Sequence, residues 1–121
     1  DLNGAGFENC KFYHCTFDNA SLVNCNLQNA LFSNCSLYNV TAEEAELQNA
    51  RFFSCNLAKA FFTHSNFKEA VLKSCQTTSS SFMNCCIENI ALEETDLPND
   101  EMFDSESDWI KNDIPDFEPN M

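Results

Sequence analysis

Large apolar residues fall on every fifth position of this chain for almost its whole length. The series runs Leu2, Phe7, Phe12, Phe17, Leu22, Leu27, Phe32, Leu37 and, after Ala42, Leu47 through Leu97. Seventeen of these twenty positions are Leu or Phe and one is Ile87, while Ala42 and Thr77 break the rule. A helix repeats every ~3.6 residues and a strand every ~2, so neither regular element produces this spacing. A second series lies two residues before each centre, as in Ala5, Cys10, Cys15, Ala20, Cys25, Ala30 and Cys35; sixteen of its nineteen members are Ala, Cys or Ser. Two residues after the centre, half of the twenty positions are Asn, among them Asn9, Asn19, Asn24, Asn29, Asn34 and Asn39.

A unit of five with one large and one small inward residue fits a square coil. Each side is a short extended piece and each corner a turn, for which Asn suits because it bonds nearby backbone and tolerates unusual φ. Four units close one coil, and coils stack at the strand spacing of ~4.8 Å, so residues twenty apart lie above one another. The units AGFEN CKFYH CTFDN ASLVN CNLQN ALFSN CSLYN resemble pentapeptide repeats, with their A(D/N)LXX pattern, over residues 1 to about 99. The resemblance implies an all-β fold, a right-handed quadrilateral β-helix of nearly five coils, closed by a short C-terminal helical or irregular cap. Residues 1–97 then form the β-helix domain, and residues 98–121 an acidic tail.

Stacking sorts the eight cysteines. Cys15, Cys35, Cys55 and Cys75 form one column; Cys25 and Cys85 share another with Ala5, Ala45 and Ser65, and Cys10 stacks with Ala30. Cysteine reads here as a small buried filler interchangeable with alanine. Parallel side chains ~4.8 Å apart exceed the usual disulfide Cβ spacing. With no Cys-x-x-Cys, and with His14 and His64 two and a half coils apart, no metal or other cofactor is expected. Gly4 and Gly6 are the only glycines, which excludes glycine-rich phosphate loops. No nucleophile converges with a base and an acid, so the chain reads as non-enzymatic.

One side collects outward residues of a particular kind: Lys11, Tyr13, Leu31, Ser33, Arg51, Phe53, Val71 and Lys73. Apolar residues interleaved with positive charge make Lys11, Tyr13, Leu31, Arg51, Phe53, Val71 and Lys73 the candidate protein interface. The formal net charge is −13, which argues against direct binding of nucleic acid or an anionic membrane. No apolar run approaches the ~20 residues of a membrane span. From Pro98 the five-residue pattern stops, and 98–121 holds eight acids against one lysine, net −7. Apolar spacing predicts a short helix near 101–112, ended by Pro115 and Pro119. Trp109, Ile110, Ile114 and Phe117 are the candidate cap or dimer contacts, because an open last coil exposes strand edges. The leading expectation is a cap over Leu92 and Leu97; docking on the basic side, or homodimer exchange through an end or the tail, are the competitors.

The chain opens at Asp1 without Met or a signal-like segment, as expected of a piece of a longer protein. The first functional expectation is a protein–protein interaction or scaffold module. The resemblance extends to bacterial family members and to β-helix domains of effectors such as HECT-like ubiquitin ligases, implying a cytoplasmic protein or one delivered to a host cytosol. A second expectation, from similarity to quinolone-resistance members, is a DNA mimic binding type II topoisomerase (gyrase). A third is a structural spacer.

Overall fold

The computed structural model describes residues 1–97 and the strand Ile110–Lys111. One short strand from each turn of the chain lies on the strand before it. In order these are β1 (Lys11–Tyr13), β2 (Leu31–Ser33), β3 (Arg51–Phe53), β4 (Val71–Lys73), β5 (Ile90–Glu93) and β6 (Ile110–Lys111). They form one parallel sheet whose spatial order is the chain order. Each pairing from β1 to β5 steps by twenty residues, setting Phe12 opposite Phe32, Phe32 opposite Phe52, Phe52 opposite Leu72 and Leu72 opposite Leu92. Three further ladders climb with the same step, through Gly6, Asn26, Glu46, Asn66 and Cys86, through Thr16, Ser36, Asn56 and Gln76, and through Ser21, Thr41, Phe61 and Ser81. The result is an all-β parallel solenoid of about four turns, without a helix among the described residues.

Five residues make a unit because each unit ends in a tight corner. Cys10 N–H bonds Phe7 C=O at 3.1 Å, Ala20 bonds Phe17 at 2.9 Å and Ala30 bonds Leu27 at 3.1 Å. The residue before each of these donors is left-handed, with φ of 65° at Asn9, 66° at Asn19 and 62° at Asn29. That conformation recurs at every fifth position up to Glu94, and Asn adopts it at lower cost than most residues. His14, Glu44 and Lys59 adopt it too, at roughly 1–2 kcal/mol each. Side chains also link turns, as where Asn39 Nδ2 donates to Asn19 Oδ1 at 2.8 Å.

The five-residue centres fill the interior. Phe32, Phe52, Phe62, Phe67 and Phe82 are fully buried, with Leu22, Leu37, Leu47, Leu57 and Leu72. Because the coil pitch equals the stacking distance of aromatic rings, Phe32 lies on Phe52 at 4.8 Å with an interplanar angle of 2°, and Phe12 on Phe32 at 4.9 Å. Around a corner the rings meet edge to face, Phe62 against Phe67 at 5.1 Å. Fully burying each side chain contributes roughly 1.5–3 kcal/mol. In the first turn the centres have no turn beneath them, so Phe7, Phe12 and Phe17 are half-buried and Leu2 is exposed.

The helix read near 101–112 is corrected at its end. Ile110–Lys111 is a strand opposite Ile90 and Ala91, so the twenty-residue step persists past Pro98. The edge of β5 presents unpaired backbone groups, and pairing with them outweighs a weak helical spacing followed by proline. Trp109, Ile114 and Phe117, and with them the expected cap over Leu92 and Leu97, lie outside the described residues.

Candidate functional site

The face built by β1 to β5 carries two outward columns. One runs Lys11, Leu31, Arg51, Val71, Ala91 and the other Tyr13, Ser33, Phe53, Lys73, Glu93. All seven predicted interface residues therefore share one face. Its apolar part is not an open stripe, however. Tyr13 is exposed and Val71 half-buried, but Leu31 is 2% exposed, Ser33 1%, Phe53 6% and Ala91 3%. Among the described residues, no outward position on the other three sides is buried; Phe61 and Met83 are 45% and 46% exposed. Neighbours in a flat ladder screen the flanks of an outward side chain and leave its top open. Among the described residues, burial at outward positions is thus confined to this face, a property that the repeat pattern does not carry.

The corner that follows this face differs from the others. Elsewhere the inward residue's N–H usually bonds the centre carbonyl three residues back; here a thiol from the next turn stands between the two. Cys35 Sγ donates to Phe12 C=O at 3.3 Å, Cys55 to Phe32 at 3.2 Å and Cys75 to Phe52 at 3.4 Å. Each of the three also accepts the N–H of the cysteine directly beneath it. Above Cys75, Thr95 Oγ1 takes the Cys75 N–H at 3.0 Å. Ser65 bridges another corner in the same way, donating to Ala42 C=O at 2.7 Å and accepting Ala45 N–H at 3.0 Å. Alanine could do neither, so the expected interchange of cysteine with alanine is corrected for this column. The signal was present: the column is Cys15, Cys35, Cys55, Cys75, Thr95 without an alanine, whereas the other small-residue columns contain alanine.

These bonds govern the thiols' chemistry. The bond with Cys55, and then burial, push the Cys35 thiol far above its ordinary value. For Cys55 the bond with Cys35 pulls downward, but the bond with Cys75 and burial outweigh it, and the thiol is pushed up to about 12. Cys75 is held below the ordinary value by its interaction with Cys55, which outweighs burial. Cys35 and Cys55 are therefore neutral thiols at neutral pH, unsuited to nucleophilic attack. A groove of about 550 Å³ runs along the corner, lined by His14, Cys15, Thr16, Asn34, Ser36, Ser54 and Asn56 beside the thiols. Its lining has hydroxyls and amides but no carboxylate, so His14 lacks the acidic partner that triad-type chemistry needs. Among the described residues no group of three or more His, Cys, Asp or Glu is placed to hold a metal. His14 and His64 stand at opposite corners.

Comparison with known proteins agrees with this geometry. The profile of the pentapeptide repeat region matches residues 28–102, and that of pentapeptide repeats (8 copies) matches residues 1–39. No curated protein matches. Among solved structures, HetL, a pentapeptide repeat protein involved in heterocyst differentiation regulation from the cyanobacterium Nostoc sp. strain PCC 7120, is similar at a TM-score of 0.59 and 16% identity. That similarity covers 78% of this chain and 38% of HetL. A trypsin-treated variant of QnrB1, a plasmid-mediated fluoroquinolone resistance protein, is similar at 0.54 and 21% identity over 79% of this chain and 52% of its own. The chain thus spans well under two thirds of either protein, and at these identities the likeness is one of fold. Repeat profiles, twenty-residue register and left-handed corners converge: the chain belongs to the pentapeptide repeat family.

Proposed function

We propose that this chain is a non-enzymatic protein-interaction module whose docking surface is the β1–β5 face. The observation that carries the reading is that the register gathers Lys11, Arg51 and Lys73 with Tyr13, Leu31, Phe53 and Val71 on that one face. Apolar side chains interleaved with Lys11, Arg51 and Lys73 suit an extended acidic segment with alternating apolar residues. In this reading the coil is right-handed and four-sided, and its length sets how many such residues the face presents. A photo-crosslinking residue at Tyr13, compared with one at Glu46 on a polar side, tests the proposal in an extract of the source cells. An adduct formed from Tyr13, absent from Glu46 and lost in Arg51→Glu supports it. Equal labelling from both sides, or adducts indifferent to Arg51→Glu, refutes it.

The gyrase-binding DNA mimic is the second reading, resting on the net charge of −13 and the fold shared with QnrB1. A mimic needs negative potential along the rod. Residues 1–97 hold eleven acids against five bases, net −6, leaving −7 to the tail. Three of those five bases occupy one face, which favours the interaction module. A supercoiling assay with purified gyrase separates the readings; inhibition of supercoiling, or protection from a quinolone, would establish the mimic.

A further inference from the structure

The corner column of Cys15, Cys35, Cys55 and Cys75 holds more sulfur than bridging requires. Ser65 and Thr95 take the N–H of the residue beneath them with a hydroxyl, so a bridge alone does not call for a thiol. Among the described residues this is also the one column in which cysteines occupy successive turns: Ala45 and Ser65 separate Cys25 from Cys85, and Cys10 lies below Ala30. The four thiols share one orientation, because each sulfur lies 3.5–3.6 Å from the carbonyl oxygen two residues back, on Tyr13, Ser33, Phe53 and Lys73. Successive sulfurs therefore repeat with the pitch of the coil, which the stacked rings of Phe32 and Phe52 set at 4.8 Å. That is far beyond a disulfide bond of about 2.05 Å. An ion midway between two such sulfurs, however, lies close to a metal–thiolate bond of about 2.3 Å from each.

A straight column cannot surround an ion tetrahedrally, which excludes zinc. A soft monovalent ion with linear, two-coordinate geometry needs only two thiolates facing one another along a line. We propose that the column is a site for such ions, of the copper(I) class, with one held between Cys15 and Cys35 and one between Cys55 and Cys75. Uptake of each ion releases two thiol protons to solvent, forms two sulfur–metal bonds and changes no oxidation state. The S–H bonds to the carbonyls of Phe12, Phe32 and Phe52 are given up in exchange. Each loaded pair carries a single negative charge. The N–H groups of Cys15, Cys35 and Cys55, which already point at the sulfur of the turn above, stabilise it. The groove along this corner reaches Cys15, Cys35 and Cys55 and gives the ions a way in. The site is separate from the docking surface and does not depend on it.

The test titrates the full chain with copper(I), without oxygen and with a reductant present, against bicinchoninate as a coloured competitor. Two ions per chain are expected to resist the competitor in the parent. One is expected in Cys55→Ser, which leaves the pair of Cys15 and Cys35. None is expected in Cys35→Ser/Cys55→Ser, where Cys15 and Cys75 stand three turns apart. Cys25→Ser/Cys85→Ser leaves the column intact and is expected to keep both ions. Circular dichroism checks that each variant retains the parent's sheet signal. X-ray absorption on the loaded parent reads the ligands without any variant, and is expected to show two sulfurs per ion. Retention of both ions by Cys35→Ser/Cys55→Ser, their loss from Cys25→Ser/Cys85→Ser, or three or more sulfurs per ion would overturn the site.

Discussion

Replacing Cys55 separates a thiol that bridges a corner from one that only fills space. Its Sγ donates to Phe32 C=O at 3.2 Å and accepts the Cys35 N–H, and the side chain is 2% exposed. Cys55→Ala deprives both backbone groups of this partner at a position where the side chain is almost wholly buried. Leaving a buried polar group unsatisfied costs about 1–3 kcal/mol, and the void left by the sulfur adds a smaller amount. The expected loss is about 2–3 kcal/mol, or roughly 8–12 °C in Tm for a chain of this size. Cys55→Ser keeps a donor and an acceptor in place, as Ser65 does at its own corner, and is expected to stay within about 1 kcal/mol of the parent. Thermal and urea unfolding followed by circular dichroism measure both variants. An alanine variant as stable as the serine variant would refute the bridging argument and restore the filler reading.

Alkaline pH should weaken the fold through the same column. The folded thiols of Cys35 and Cys55 are raised, so the stability they contribute is complete below the ordinary thiol value of 9.0 and is lost as pH rises towards about 12. Cys75, lowered, offsets part of this; urea midpoints between pH 8 and 11 should fall in the parent and fall less in a Cys35→Ser/Cys55→Ser double variant. At the left-handed corner of Glu44, where φ is 55°, Glu44→Gly should raise stability by about 1 kcal/mol and Glu44→Val should lower it, read as opposite shifts in Tm. Phe52→Ala removes a fully buried ring stacked on Phe32, and should cost about 3–5 kcal/mol in the same unfolding assay.

The sequence carried the coil almost completely, because in a solenoid of this kind the fold is a local pattern repeated. The register that joins Phe12, Phe32 and Phe52 follows from counting, and the left-handed corners follow from Asn at every fifth position. What the pattern could not carry is whatever depends on more than one unit. Leu31 and Phe53 occupy outward positions by their number alone, and only the three-dimensional structure shows that they are buried. The Cys35 thiol lies at a filler position, yet its partners are a carbonyl in the turn below and an amide twenty residues away. Ile110 has apolar neighbours at helical spacing, but a waiting strand edge at Ile90 decides its conformation. In each case a non-local contact outweighed a local preference.

The twenty-residue step also makes the position of every side chain a matter of phase. Inserting or deleting five residues anywhere in the coil would leave each unit intact and the interior still filled. Every residue after the change would nevertheless rotate to the next side. A five-residue deletion between Phe32 and Arg51, for instance, would part Arg51, Phe53 and Lys73 from Lys11 and Leu31, and would break the column of Cys35 and Cys55. Only a change of a whole turn conserves both. Length variation in this chain is therefore quantised: backbones can tolerate fives, but a composite surface survives only in twenties.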